Sequence, residues 1–253
     1  MKKIFAVIGS PNNEKSNTAT MVRDFLEMVK QYNSEVEYEV VSLGEQKLNY
    51  CSGCWACMKI GYCVFKNDAL PEIRRKILEC DLLIVGSPVY EQQISAQMKT
   101  LFDRTFMWIH LIGLMGKPTL TAITTGNDGI WLTEKYLRSL LTMMGCIIVG
   151  HLRGIGKQPG FFPDRERCKL KYGSQAQKVA DILSGKNKVK PSLFNIVCFS
   201  FMKHHNRRIG KDKNSEAYSQ FEYQYWLNKK WFQISYKKAL KNEKEKRSSC
   251  ITQ

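Results

Sequence analysis

Leu82-Leu83-Ile84-Val85-Gly86-Ser87-Pro88-Val89-Tyr90-Glu91-Gln92-Gln93-Ile94-Ser95-Ala96-Gln97-Met98-Lys99 reads as a strand that runs into a polar loop and then into a helix. Four consecutive apolar residues with no polar alternation suit a strand covered on both faces, as in a parallel sheet. The same order recurs along the chain. Ile4 to Ile8 is a β-rich run ended by Gly9, and Thr18 to Lys30 carries Met21, Val22, Phe25, Leu26 and Val29 at helical spacing. Val36 to Val41 predicts a strand, and Ala69 to Leu78 a helix with Asp68 as its N-cap. A further helix is expected from about Ser95 through Trp108. Leu120 to Ile123 and Cys146 to Val149 supply strands around a helix from about Trp131 to Met144, stopped by Gly145. Five strands alternating with helices predict an α/β fold with a doubly wound, five-stranded parallel sheet. Beyond Arg153, residues 154–160 read as a glycine-rich loop, and a helix over about 174–183 closes the sheet unit. The expected organisation is therefore a sheet domain over 1–184 and an extension over 185–253.

The 253 residues, 43% of them hydrophobic, can bury one good core with an appended subdomain. Only five apolar residues, Ile4 to Ile8, follow Met1-Lys2-Lys3, too few for a signal-peptide core or a spanning helix. A cytoplasmic location is the expectation, and with it reduced thiols rather than a disulfide framework for the nine cysteines. Cys80, Cys146, Cys168, Cys198 and Cys250 are scattered and read as inert. His110, His151, His204 and His205 show no metal-ligand spacing and read as non-catalytic.

Of the formal charge of +16, residues 185–253 hold +11, leaving +5 for residues 1–184. A basic tail attracts nucleic acid, anionic lipid or an acidic partner, and charge alone does not choose among them. Leu193, Phe194, Ile196, Val197, Phe199, Phe201 and Met202 precede a basic collar, as in an interfacial membrane helix, but a helix packed on its own domain or on a second subunit is the favoured reading. Peripheral membrane contact stays open. Tyr223, Tyr225, Trp226, Trp231, Phe232 and Tyr236 interleave with lysines; core aromatics of a helical hairpin are expected there rather than a base-stacking surface. Cys250-Ile251-Thr252-Gln253 has the form of a prenylation box, but Thr252 is a poor aliphatic position, so it reads as a frayed tail.

Three polar loops follow strands: Gly9 to Thr18, Gly86 to Lys99, and Thr124-Thr125-Gly126-Asn127-Asp128-Gly129. Ligands of open parallel sheets bind beyond the carboxyl ends of the strands near the switch point, so these loops converge on one crevice. The first suits a phosphate. Backbone N–H groups at the helix start point outward, the dipole favours an anion, and Ser10, Ser16, Asn17 and Thr18 can add hydrogen bonds. It lacks the Gly-Lys-Ser/Thr ending of a P-loop and the glycine-rich dinucleotide fingerprint.

Between the strand at 36–41 and the helix at 69–78 lies Cys51-Ser-Gly-Cys54-Trp-Ala-Cys57-Met-Lys-Ile-Gly-Tyr-Cys63. Two-residue gaps aim the first three thiols at one centre, and Cys63 returns from the far side. Such compact thiolate sets hold iron–sulfur clusters. Structural zinc, a disulfide pair or free thiols are the alternatives; zinc is the poorer fit, because its ligand pairs are commonly separated by a longer finger.

The Ser87-Pro88-Val89-Tyr90 loop, its sequel Ala96-Gln97-Met98-Lys99 and Phe102-Asp103-Arg104, and the cysteine run together resemble the flavodoxin-like NAD(P)H-dependent FMN reductase superfamily, iron–sulfur flavoprotein branch, over about residues 1–184. The resemblance implies that the first loop binds the FMN phosphate, that Pro88, Val89 and Tyr90 line one side of the isoalloxazine, and that Thr124, Thr125 and Gly126 touch the ring and ribityl chain. It implies a [4Fe-4S] cluster on Cys51, Cys54, Cys57 and Cys63, with electrons passing from NAD(P)H through the flavin to a small-molecule or protein acceptor. It also implies a homo-oligomer, dimer or tetramer. The alternatives are a cluster-free quinone, azo or nitro reductase, and a non-catalytic scaffold whose basic tail binds nucleic acid or anionic membrane.

Overall fold

β1 (Lys2–Ile8) lies inside a sheet whose main strands are all parallel: β2 (Val36–Ser42), β1, β3 (Leu82–Tyr90), β5 (Pro118–Thr125) and β6 (Ile147–Ile155), in that spatial order. A two-residue β4 (Gln93–Ile94) folds back antiparallel onto the end of β3. Our computed structural model describes residues 1–211 and 217–250; residues 251–253 of the prenylation-like box lie outside the described residues. The helices are α1 (Asn17–Tyr32), α2 (Ala56–Ile60), α3 (Leu70–Glu79), α4 (Ala96–Thr105), α5 (Met107–Leu111), α6 (Ile130–Met143), α7 (Arg165–Leu183), α8 (Leu193–Lys211), α9 (Ala217–Asn228) and α10 (Tyr236–Cys250).

Side chains alternate across β1, so it feeds both layers of core. Ile4, Ala6 and Ile8 pack with Phe25 and Leu26 of α1 and Ala176 and Val179 of α7. Phe5 and Val7 face the other layer, with Ile73 of α3, Met98 of α4 and Leu137 of α6. The strand order reverses direction between β1 and β3. That switch point opens a crevice at their carboxyl ends.

Several boundaries differ from those expected. β6 continues to Ile155, pairing Ile155 with Thr125, so Gly154 and Ile155 are strand rather than loop. Gly150, Arg153 and Gly154 interrupt the apolar run and conceal this in the sequence. α7 begins at Arg165 rather than near Ser174, because Cys168 and Tyr172 extend its buried face through a first turn rich in charge. The helix expected from Ser95 to Trp108 breaks at Phe106 into α4 and α5. Asp68 is not the N-cap residue of α3, a position taken by Ala69, although its Oδ1 accepts from the Leu70 N–H at 3.1 Å.

The extension packs against Ile112, Met115 and Ile147 through Phe199, Met202, Trp226, Trp231, Phe232 and Leu240. Trp226 meets Phe199 and Trp231 with ring centroids 5.2 and 5.1 Å apart, so these aromatics are core. α8 buries Phe199 and Met202 but leaves Leu193, Phe194, Val197 and Phe201 exposed. No helix among the described residues is long and apolar enough to cross a membrane.

Candidate functional site

At the switch point the loops after β1 and β3 are joined directly. The Gly9 N–H donates to Gly86 O at 2.7 Å, and the Ser95 hydroxyl, which caps α4, donates to Gly9 O. Ser10 is buried; its carbonyl accepts from Ser42 Oγ (3.0 Å) and Gly44 N (3.2 Å), and its Oγ accepts from Asn12 N (3.2 Å). Ser16 caps α1, accepting from Ala19 N at 3.1 Å. The hydroxyls of Thr18 and Thr124 share a buried hydrogen bond of 2.6 Å across two loops. Thr125 Oγ1 donates to Asp128 O and accepts from Asn127 N at 3.2 Å, while Gly126 stands exposed at the loop's outer edge.

The predicted phosphate and flavin residues are thus gathered at one edge, but their tasks divide. Ser10, Ser16, Thr18 and Thr125 use side-chain oxygens to hold the loops in shape. With the Ala19 N–H taken by Ser16, the first-turn N–H groups of Asn17 and Thr18, which a helix leaves without intrahelical partners, remain to meet an anion. Asn17 differs from expectation: its Nδ2 donates to Gln158 O and Phe161 O, both at 3.1 Å. It therefore anchors a fourth loop, residues 156–161, which overlaps the glycine-rich loop expected at 154–160. Gly156 N donates to Thr125 O (2.9 Å) and Gly160 N to Lys15 O (2.7 Å), closing that loop over the crevice rim. Its position after the last strand was the available signal.

FMN fits this edge. Its phosphate would meet a donor-rich helix start, and its ring would meet the exposed Tyr90 (42%) beside half-buried Pro88 and Val89. Between β3 and β4, Glu91 (φ 46°) and Gln92 (φ 64°) both occupy the left-handed region, a strained turn for such side chains.

The cysteine run coils back on itself, with Trp55 left-handed at φ 58° and Gly61 at φ 81°. Cys51, Cys54, Cys57 and Cys63 all line one cleft of about 470 Å³. Cys51 and Cys54 are exposed, the other two half-buried. Burial pushes the Cys57 thiol up, reinforced by charge on Cys63, Cys51 and Cys54, whereas the Ala56 N–H and the Ser52 hydroxyl pull Cys54 down. Arg104 donates through Nε to Cys63 Sγ at 3.4 Å. Burial draws the Arg74 guanidinium down, against the opposing influence of Cys63 and Cys57.

Among the described residues, His110, His205 and Glu222 bring three ligand atoms within 4.8 Å of one another. His110 and His205, which show no metal-ligand spacing in sequence at 95 positions apart, meet in space. α4 connects the two sites. Ser95 at its start holds the first loop, and Arg104, about 14 Å further along the helix, holds Cys63.

The sequence profile of the family described as NADPH-dependent FMN reductase matches residues 2–159. An iron-sulfur flavoprotein of Archaeoglobus fulgidus is 33% identical over 194 residues, covering 75% of this chain and 84% of the relative. One from Methanosarcina thermophila is 28% identical, covering 72% and 95%. Among solved structures, an apo NADH:FMN oxidoreductase is 22% identical at a TM-score of 0.51, covering 76% of this chain and 92% of that one. An FMN-dependent NADH-azoreductase from Bacillus anthracis in complex with FMN is 13% identical at 0.51, covering 72% and 99%; such likeness speaks to the fold. This chain accordingly belongs to the NADPH-dependent FMN reductase family, in its iron–sulfur flavoprotein branch.

Proposed function

We propose that this protein is an FMN-dependent oxidoreductase that draws electrons from NAD(P)H and delivers them to a small-molecule or protein acceptor, with a [4Fe-4S] cluster on Cys51, Cys54, Cys57 and Cys63. The convergence of the 9–18, 86–95 and 124–129 loops on the β1–β3 switch point carries the reading. Bound FMN supplies acceptance of hydride and release of electrons singly or in pairs, and a cluster supplies one-electron carriage. The chain's own work is to bind and orient. The start of α1 holds the phosphate, Pro88, Val89 and Tyr90 line one side of the ring, and Thr124, Thr125 and Gly126 touch the ring and ribityl chain. Arg104 and Arg74 place positive charge beside the thiolates. Self-association belongs to the same reading, supported by the apolar face of Leu193, Phe194, Val197 and Phe201 left exposed on α8.

Anaerobically purified protein tests the reading. NADH or NADPH should bleach the flavin absorbance, and iron and sulfide should be present in equal amounts. Cys54→Ala should lose the iron and keep the FMN, which a different loop holds. Flavin that neither nicotinamide reduces would contradict the activity, and iron-free protein after reconstitution would contradict the cluster.

A further inference from the structure

We propose that His110, His205 and Glu222 form a second metal site, for a divalent transition ion of the zinc type, that fastens the C-terminal extension to the sheet unit. The three residues come from three helices, α5, α8 and α9, and offer ligand atoms all within 4.8 Å of one another. His110 Nδ1 lies 3.2 Å from Glu222 Oε2. An ordinary His–Glu pair accounts for that contact but not for the arrival of a second imidazole from α8.

The surroundings hold the ligands in place. Glu222 is only 1% exposed, and its other oxygen, Oε1, accepts from Asn206 Nδ2 at 2.9 Å. The same Nδ2 donates to Met202 O at 2.9 Å, so Asn206, itself fully buried, orients the carboxylate from outside the ligand set. The His110 ring meets Phe106 edge-on at 5.4 Å, and the His205 ring stacks on Phe201 at 6.4 Å. The Trp226 indole N–H donates to His110 O at 3.0 Å, tying α9 to α5 beside the site. Two imidazoles and one carboxylate select a borderline ion such as zinc over calcium or magnesium, which prefer all-oxygen shells. Both histidines are half-buried, leaving room for water as a fourth ligand.

A metal here bears on the cysteine cleft. Phe106, which touches His110, also lines that cleft, and Phe221, next to Glu222, packs against the cluster of Met58, Met107 and Leu111 beneath it. Fixing α9 therefore fixes the floor of the cysteine loop. The assignment does not depend on the flavin.

The test is zinc binding by the full chain, measured by competition with a chromophoric chelator in wild type, Cys54→Ala, His205→Gln and Glu222→Gln. His205→Gln and Glu222→Gln should each bind one equivalent fewer than wild type, whereas Cys54→Ala should retain that equivalent. Equal stoichiometry in wild type and His205→Gln would overturn the proposal. Should the variants fail to fold, zinc-edge X-ray absorption on wild type decides. Nitrogen and oxygen ligands at about 2.0–2.1 Å are expected, and a spectrum accounted for by sulfur at about 2.3 Å alone would overturn it.

Discussion

Arg104 donates from Nε to the Sγ of Cys63 at 3.4 Å while its other nitrogens are bound by Asp68, by Asn49 O at 3.1 Å and by Phe65 O at 2.7 Å. Neither the Arg104 nor the Asp68 side chain is exposed. Burial pushes the Asp68 carboxyl up, but the Arg104 hydrogen bond and the Asn49 and Leu70 N–H groups win and hold it low. One guanidinium thus sets the position of the last cysteine and closes the loop on both sides of it.

Replacing Arg104 by Leu leaves the buried Asp68 carboxylate without its counter-charge, which should cost about 3–5 kcal/mol in urea unfolding. Arg104→Lys keeps the charge but loses the fork that reaches four partners at once. It should fold, with iron content per chain reduced and FMN content unchanged. Equal iron content in Arg104→Lys and wild type would remove Arg104 from the account of the cysteine site.

Gly61 ends α2 in the left-handed region, and a Cβ there would lie 2.2 Å from the Phe221 ring of α9. Gly61→Ala should cost about 2–4 kcal/mol through backbone strain and displacement of that ring. Hydrogen exchange should show α9 losing protection while α1 keeps it. Uniform loss across both would mean that the extension and the sheet unit unfold together.

The Thr18–Thr124 hydrogen bond joins the first turn of α1, next to the phosphate loop, to the end of β5, next to the loop that follows it. Thr18→Val leaves the Thr124 hydroxyl without its partner and should cost about 1 kcal/mol of stability. FMN affinity should fall roughly five-fold, the equivalent of about 1 kcal/mol, in a fluorescence titration. An unchanged affinity would show that the two loops bind flavin independently.

Burial raises the Glu134 carboxyl, but the Arg153 hydrogen bonds and the charges of His151, Arg153 and Arg138 outweigh it and hold Glu134 below the usual range. A depressed folded-state pKa contributes stability that is present above the unfolded glutamate value of about 4.3 and is lost as pH falls through the folded one. Glu134→Gln should therefore be less stable than wild type by about 1–2 kcal/mol near neutral pH, with the gap closing below about pH 4.3. A gap that does not narrow as pH falls below about 4.3 would assign the loss to packing rather than charge.

The sheet was legible because Ile4 to Ile8 and Leu82 to Val85 are uninterrupted apolar runs, which few structures other than a buried parallel strand accommodate. The gathering of the loops that follow those strands at one edge was legible for the same reason. The division of labour among them was not. Ser16 as a cap and Asn17 as the anchor of Gln158 and Phe161 look alike in sequence to a pair of phosphate ligands. Thr18 and Thr124, Arg104 and Cys63, and His110 and His205 are brought together by tertiary packing, so no spacing rule announces them. The first turn of α7 was hidden for a different reason: Arg165, Arg167, Lys169 and Lys171 mask the apolar period of Cys168 and Tyr172.

The central claim is that FMN occupies the crevice at the β1–β3 switch point, and a titration of purified protein with FMN tests it most directly. Equimolar, saturable binding at micromolar or lower concentration is expected. Gly9→Val should abolish it, since a Cβ at Gly9 would lie 2.6 Å from Ser95 Oγ and force the first loop away from α4. Protein that carries no flavin and fails to bind added FMN, or that binds it equally well with Gly9→Val in a folded chain, would contradict the claim.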